Sequence, residues 1–135
     1  MLKTFLSRLP RRCACCGLTG FERDVMFLRV TAHLDRTPCL LGVASETQSL
    51  AMTYEGPCLR SKYGSYGHRA LLDLLASYLV LVLPPAYGRL PAHRRWKGAP
   101  GNACERADGA VCIIDGDHVH LGLDPVGAGL LPRRD

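Results

Sequence analysis

Ala70-Leu71-Leu72-Asp73-Leu74-Leu75-Ala76-Ser77-Tyr78-Leu79-Val80-Leu81-Val82-Leu83 is the longest apolar run of the chain, and its reading decides the fold. Leu71, Leu72, Leu75, Tyr78 and Leu79 recur at helical spacing, whereas Tyr78 to Leu83 taken alone suits a buried strand. Together the two signals predict a helical turn or two over residues 70–79 feeding a strand that Pro84-Pro85 stops. Interrupted by Asp73, the run falls short of the roughly 20 apolar residues that a membrane helix needs, so no membrane span is expected.

Upstream, Val25-Met26-Phe27-Leu28-Arg29-Val30-Thr31 is rich in β-branched and aromatic residues and reads as a strand. Two more runs, residues 39–44 and 49–54, read the same way, and Gly56-Pro57 closes the second. Ser61-Lys62-Tyr63-Gly64-Ser65-Tyr66-Gly67 is a loop by composition. Downstream, residues 84–109 are rich in Pro, Gly and Arg and read as a long loop. Residues 110–114 and 118–123 read as a hairpin turned by Asp115-Gly116. The expected fold is therefore mainly β: a single small sandwich or jelly-roll-like domain over residues 23–130, behind a basic, Cys-containing tail at residues 1–22.

The 135 residues allow one domain, which can bury roughly two thirds of its unfolded surface without metal or disulfides. At 47% hydrophobic and 21% charged, wholesale disorder is excluded. The net charge of +5 comes from 17 basic against 12 acidic residues, and most of the basic ones are Arg, a skew that GC-rich coding also produces. The excess is local. Residues 1–21 hold no acid, with Leu2, Phe5, Leu6 and Leu9 at helical spacing up to Pro10, and a second basic run spans Arg89 to Lys97. Seven Cys leave one thiol over in any monomeric pairing, and the first residues lack the apolar core of a secretory leader. Reduced thiols and an intracellular location follow, cytoplasm or nucleus, with a mitochondrial one suggested by the basic start. The sequence sets no oligomeric state.

Three constellations could carry chemistry. Cys13-Ala14-Cys15-Cys16 is the densest group of thiols, and His118-x-His120 would put two imidazoles on one strand face. A zinc site requires these Cys to converge with Cys or His from elsewhere, since no second paired knuckle is present, and the spacing alone assigns no metal ligand. Arg94, Arg95 and Lys97, with Trp96 and Tyr87 interleaved, could contact phosphates while an aromatic ring stacks on a base. A solvated loop is the plainer reading. Asp115-Gly116-Asp117 pairs two carboxylates that could hold Mg²⁺ or activate water, or serve only as turn residues.

Three segments in chain order resemble the dUTPase family: Gly67-His68-Arg69-Ala70-Leu71-Leu72, then Leu81-Val82-Leu83-Pro84-Pro85-Ala86-Tyr87-Gly88-Arg89-Leu90, then Ala110-Val111-Cys112-Ile113-Ile114-Asp115-Gly116-Asp117-His118. They cover residues 67–123. The resemblance implies a β jelly roll. It also implies that Asp115 stands where the family's water-orienting base lies, with Mg²⁺ as cofactor only if the enzyme survives. Arg89 and His118 would be substrate-binding residues, His118 in place of the Tyr that packs on the deoxyribose. The family's Ala-Pro-Arg-Ser-Gly is replaced by Pro91-Ala92-His93-Arg94-Arg95, and its first motif and Gly-rich tail have no counterpart. The sequence thus reads as a noncatalytic dUTPase-like protein, with a degenerate active site, acting on a protein partner as an interaction or regulatory factor of the viral accessory type. Alternatives are a dUTP pyrophosphatase, a small basic zinc- or nucleic-acid-binding protein, and a weakly selected open reading frame.

Overall fold

Thr19 and Glu22 reverse the first of these expectations. In the computed structural model, which describes residues 1–6 and 11–133, they form a reciprocal capping box that starts helix α1 (Gly20–Val30) where a strand is expected. The Thr19 hydroxyl accepts from the Glu22 amide and the Glu22 carboxylate accepts from the Thr19 amide, both at 3.1 Å. Phe21, Val25, Met26, Phe27 and Leu28 of α1 are buried. β-propensity spans only about 1 kcal/mol in all. Burying one such side chain contributes about 2 kcal/mol, so tertiary packing decides the conformation.

The opening run is helical up to Val82. Helix α2 (Leu59–Tyr63) occupies part of the expected loop, and α3 (Arg69–Val82) follows it. Exposure along α3 carries the period: Leu72, Leu75, Leu79 and Leu83 are buried, while Leu74 and Leu81 are 68% and 83% exposed. A strand over residues 78–83 would have put Leu79, Leu81 and Leu83 on one face. Pro84 ends the helix by holding Leu83 extended.

Strand β1 (Leu2–Thr4) lies where the sequence suggests an amphipathic helix over residues 2–9, of which residues 7–10 fall outside the described part. It joins β2 (Leu40–Ala44) and β3 (Ser49–Met52), at their expected positions, in an antiparallel sheet of order β1-β3-β2. A short helix α4 (Pro85–Gly88) and two 3-10 turns break up the expected long loop. Strands β4 (Ala103–Glu105) and β5 (Val111–Ile113) then form a second, two-stranded sheet. Residues 118–123 are not a strand.

The chain is therefore a mixed α/β domain, 31% helix and 15% strand, and not a β sandwich or jelly roll. Asp115-Gly116 is not a hairpin tip either. Asp115 adopts a left-handed φ of 69°, and Gly116 lies so close to the Phe27 ring that a Cβ would meet it at 2.3 Å. The Gly116 amide donates to the buried Asp24 at 3.1 Å, and Lys3 reaches both Asp24 (2.8 Å) and Asp115 (3.0 Å). That network ties β1, α1 and the 115–117 segment together.

Candidate metal centre

Cys13 to Leu18 form a tight loop immediately before α1. The Cys13 amide donates to the Leu18 carbonyl at 2.9 Å, and the Gly17 amide donates back to the Cys13 carbonyl at 2.7 Å. Gly17 closes the turn at φ +71°, a conformation that favours glycine. The loop turns three thiols toward one point. Arg12 braces it from outside, donating to the Gly17 carbonyl and to Glu22.

The fourth group comes from the far end of the chain. Val119 and Leu121 are each 1% exposed, while His120 between them is half-buried. Its amide donates to the Arg94 carbonyl at 2.9 Å. The Sγ atoms of Cys13, Cys15 and Cys16 and a ring nitrogen of His120 all lie within 4.8 Å of one another. Tetrahedral zinc with bonds of about 2.0–2.3 Å sets its ligand atoms about 3.3–3.8 Å apart. Cys15 Sγ and His120 Nδ1, at 3.7 Å, already meet that spacing, while Cys13 and Cys15 Sγ, at 2.7 Å, must open by about 1 Å.

Protonation favours ligation at Cys13 and His120, whereas Cys15 must give up a proton to bind. Hydrogen bonds from the Cys15 thiol and from the Cys15 and Cys16 amides lower Cys13 to about 7. Cys15 is raised in turn, by the bond it makes to Cys13 and by burial. Burial and then Arg23 and Arg94 lower His120, keeping its imidazole neutral, as a ligand must be. Three thiolates around Zn²⁺ leave one net negative charge. Arg23 stands with Nη1 3.9 Å from Cys16 Sγ and also donates to the Leu18 and Asp117 carbonyls. A cleft of about 440 Å³ opens beside the cluster between Arg23, Arg94, Leu90 and Asp124, a path by which an ion can enter.

The other sequence-derived residues are not gathered here. Asp115 is engaged by Lys3. Burial raises its pKa, but the hydrogen bond from Asp117 and the Lys3 charge outweigh that and hold it below the usual value. Burial and the neighbouring Asp115 raise Asp117 to about 6. His118 is exposed, 3.7 Å from Asp117, and is not among the groups that converge with His120. Arg89 is exposed at the end of α4, and among the described residues no hydrogen bond or ion pair joins it to Asp115. In the basic run, Tyr87 and Trp96 are 1% and 4% exposed. The Tyr87 hydroxyl accepts from the Trp96 amide at 2.6 Å and the indole donates to the Ile114 carbonyl, so neither ring is free to stack on a base. Among the described residues, no helix is long and apolar enough to cross a membrane.

Compared with models of known protein families the chain matches none, and no curated protein is significantly similar to it.

Proposed function

We propose that the chain is a small zinc-binding domain in which Cys13, Cys15, Cys16 and His120 hold one structural Zn²⁺. The observation that carries this reading is the convergence of Cys15 and His120, 105 positions apart in sequence, at 3.7 Å beside two further thiols. Four protein ligands fill a tetrahedral zinc and leave no open position for water or substrate, which is the pattern of a structural rather than a catalytic ion. The ion clamps the loop before α1 to the segment after β5, and the domain so fixed acts by binding a protein partner. Arg23 and Arg94 offset the charge of the thiolates, an outer-shell role.

Protein purified under reducing conditions should carry one zinc per chain by elemental analysis. Exchange with Co²⁺ should give tetrahedral d–d bands together with thiolate-to-cobalt charge transfer, and Cys16→Ser should diminish the latter. Zinc well below one per chain, with no tetrahedral cobalt spectrum, would refute the reading.

A further inference from the structure

Cys58, Cys104 and Cys112 lie in one row across a β-ladder. Cys104 of β4 is paired with Cys112 of β5 on one side, and with Cys58 in an isolated antiparallel bridge on the other. Directly opposed residues of antiparallel strands point to the same face, so the three side chains share one face.

The two pairings differ in kind. The Glu105 amide donates to the Pro57 carbonyl at 3.0 Å, which makes Cys58 and Cys104 a non-hydrogen-bonded pair. The Arg106 amide donates to the Ala110 carbonyl at 2.8 Å, which makes Glu105 and Val111 the non-hydrogen-bonded pair of the hairpin and leaves Cys104 and Cys112 hydrogen-bonded. Side chains approach more closely in the first kind, with Cα atoms about 4.5 Å apart against about 5.5 Å. That spacing falls within the span a disulfide bridges.

The glycine that precedes this segment permits the approach. Gly56 sits at φ +95°, and a Cβ there would meet the Glu105 carbonyl oxygen at 2.1 Å. Accessibility then separates the three thiols. Cys58 is half-buried, whereas Cys104 and Cys112 are 4% and 0% exposed.

We propose that Cys58 and Cys104 form a dithiol oxidation site, in which a hydroperoxide oxidises Cys58 and Cys104 resolves it into a Cys58–Cys104 disulfide. The Cys58 thiolate attacks the peroxide O–O bond, takes one oxygen to become a sulfenic acid, and releases hydroxide, or the alkoxide of an organic peroxide. The Cys104 sulfur then attacks the Cys58 sulfur. The S–O bond breaks, and the departing hydroxyl leaves as water with the proton of Cys104. With hydrogen peroxide the balance is two thiols and one peroxide giving one disulfide and two waters. A small dithiol restores both thiols by exchange.

The local chemistry assigns these roles. The Ser61 hydroxyl, 3.2 Å from Cys58 Sγ, and then the Ser61 and Arg60 amides lower the Cys58 thiol below its ordinary value. Burial, and then the nearby Cys58 and Glu55, push Cys104 up to about 11. Burial takes Cys112 up to about 12, and its thiol donates to Glu55 at 3.7 Å. Cys58 is thus the entry point. A buried, protonated resolving thiol makes the second step the slow one, so the sulfenic acid persists long enough to be trapped.

The test uses the full zinc-loaded chain, reduced, treated with one equivalent of hydrogen peroxide, blocked with an alkylating agent and digested with trypsin. Cleavage separates residues 37–60, which hold Cys39 and Cys58, from residues 98–106, which hold only Cys104, and from the peptide carrying Cys112. The expected product joins 37–60 to 98–106, with fragmentation placing the link on Cys58. Cys58→Ser should abolish that product. Cys104→Ala should instead leave Cys58 as a sulfenic acid that dimedone captures, and Cys112→Ala should leave the wild-type link in place. Should Cys104→Ala fail to fold, the wild-type and Cys112→Ala maps decide the question. A link from Cys104 to Cys112, or oxidation of the exposed Cys39 with Cys58 untouched, would overturn the proposal.

Discussion

Six of the seven thiols fall into two groups of three, and the groups share nothing but sulfur. Cys13, Cys15 and Cys16 stand on a short loop with an imidazole and two guanidinium groups close by, and Cys13 is lowered to about 7. Cys58, Cys104 and Cys112 stand on a ladder, and burial drives the inner two up to about 11 and 12. A cation gathers thiolates, so the first group suits Zn²⁺. A row of mostly protonated thiols with one accessible member suits oxidation at that member. Environment, not residue type, separates a metal ligand from a redox thiol.

The sharpest way to break this contrast is to remove one member from each group. His120→Ala should abolish stoichiometric zinc, because loss of a direct ligand costs more than the roughly 10–100-fold that an outer-shell partner does. Cys112→Ala should keep one zinc per chain. Chelation should lower the melting temperature of the wild type and Cys112→Ala alike, and leave His120→Ala unchanged, as read by thermal unfolding with and without EDTA. Equal zinc content in the two variants would erase the distinction.

Gly56→Ala acts on the second group alone. The new methyl would meet a backbone carbonyl at 2.1 Å at a φ that side chains rarely adopt. Neither partner yields easily, so a loss of about 2–4 kcal/mol in urea unfolding is expected. The segment carrying Cys58 would move off β4, and the peroxide-induced link to Cys104 would fall sharply while zinc stayed at one per chain. Unchanged stability together with an unchanged link would show that the close approach is not what holds Cys58 in place.

Asp117 lies three residues before His120 and tests the segment that carries it. Its folded pKa of about 6 lies above the unfolded 3.8, so between those values the native state keeps a proton that the unfolded state has released. Stability therefore falls as pH rises from about 3.8 to about 6. Asp117→Asn, permanently neutral, removes that fall. The variant should exceed the wild type by up to about 3 kcal/mol at pH 7 and converge with it near pH 4. Parallel pH profiles would rule this out.

How much of this was legible in the sequence depends on how local each signal is. The thiol cluster at residues 13–16 could be seen by eye, but its fourth member could not, because Cys15 and His120 are 105 positions apart and meet only through the fold. The row of Cys58, Cys104 and Cys112 depends on strand pairing, and Gly56-Pro57 read merely as a turn. Strands β2, β3 and β5 are legible because short β-branched or alternating runs between turn residues say enough alone. Helix α1 is hidden although Thr19 and Glu22 spell its capping box, since the β-branched residues that follow point the other way. In α3 the apolar run was dense enough to satisfy both periods, and only the exposure of Leu81 separates them. The jelly roll that the dUTPase resemblance implies rested on motif strings, which carry no information about which period a run obeys.

That capping box supplies the smallest perturbation. Thr19 is the residue at which the cysteine loop passes into α1, and its hydroxyl satisfies the Glu22 amide at 3.1 Å. Thr19→Ala should cost about 1 kcal/mol, the usual price of an N-cap. The loss falls beside one thiol group and far along the chain from the other. A frayed α1 terminus frees Leu18, whose carbonyl holds the Cys13 amide and the Arg23 guanidinium. Zinc transfer to a chromophoric chelator should therefore speed up while equilibrium stoichiometry stays at one. The yield of the Cys58–Cys104 link should not change. Thr19→Ser retains the hydroxyl and should restore the slow transfer. If Thr19→Ala left zinc transfer unchanged, the loop would be held by its own hydrogen bonds and the ion, not by the start of the helix.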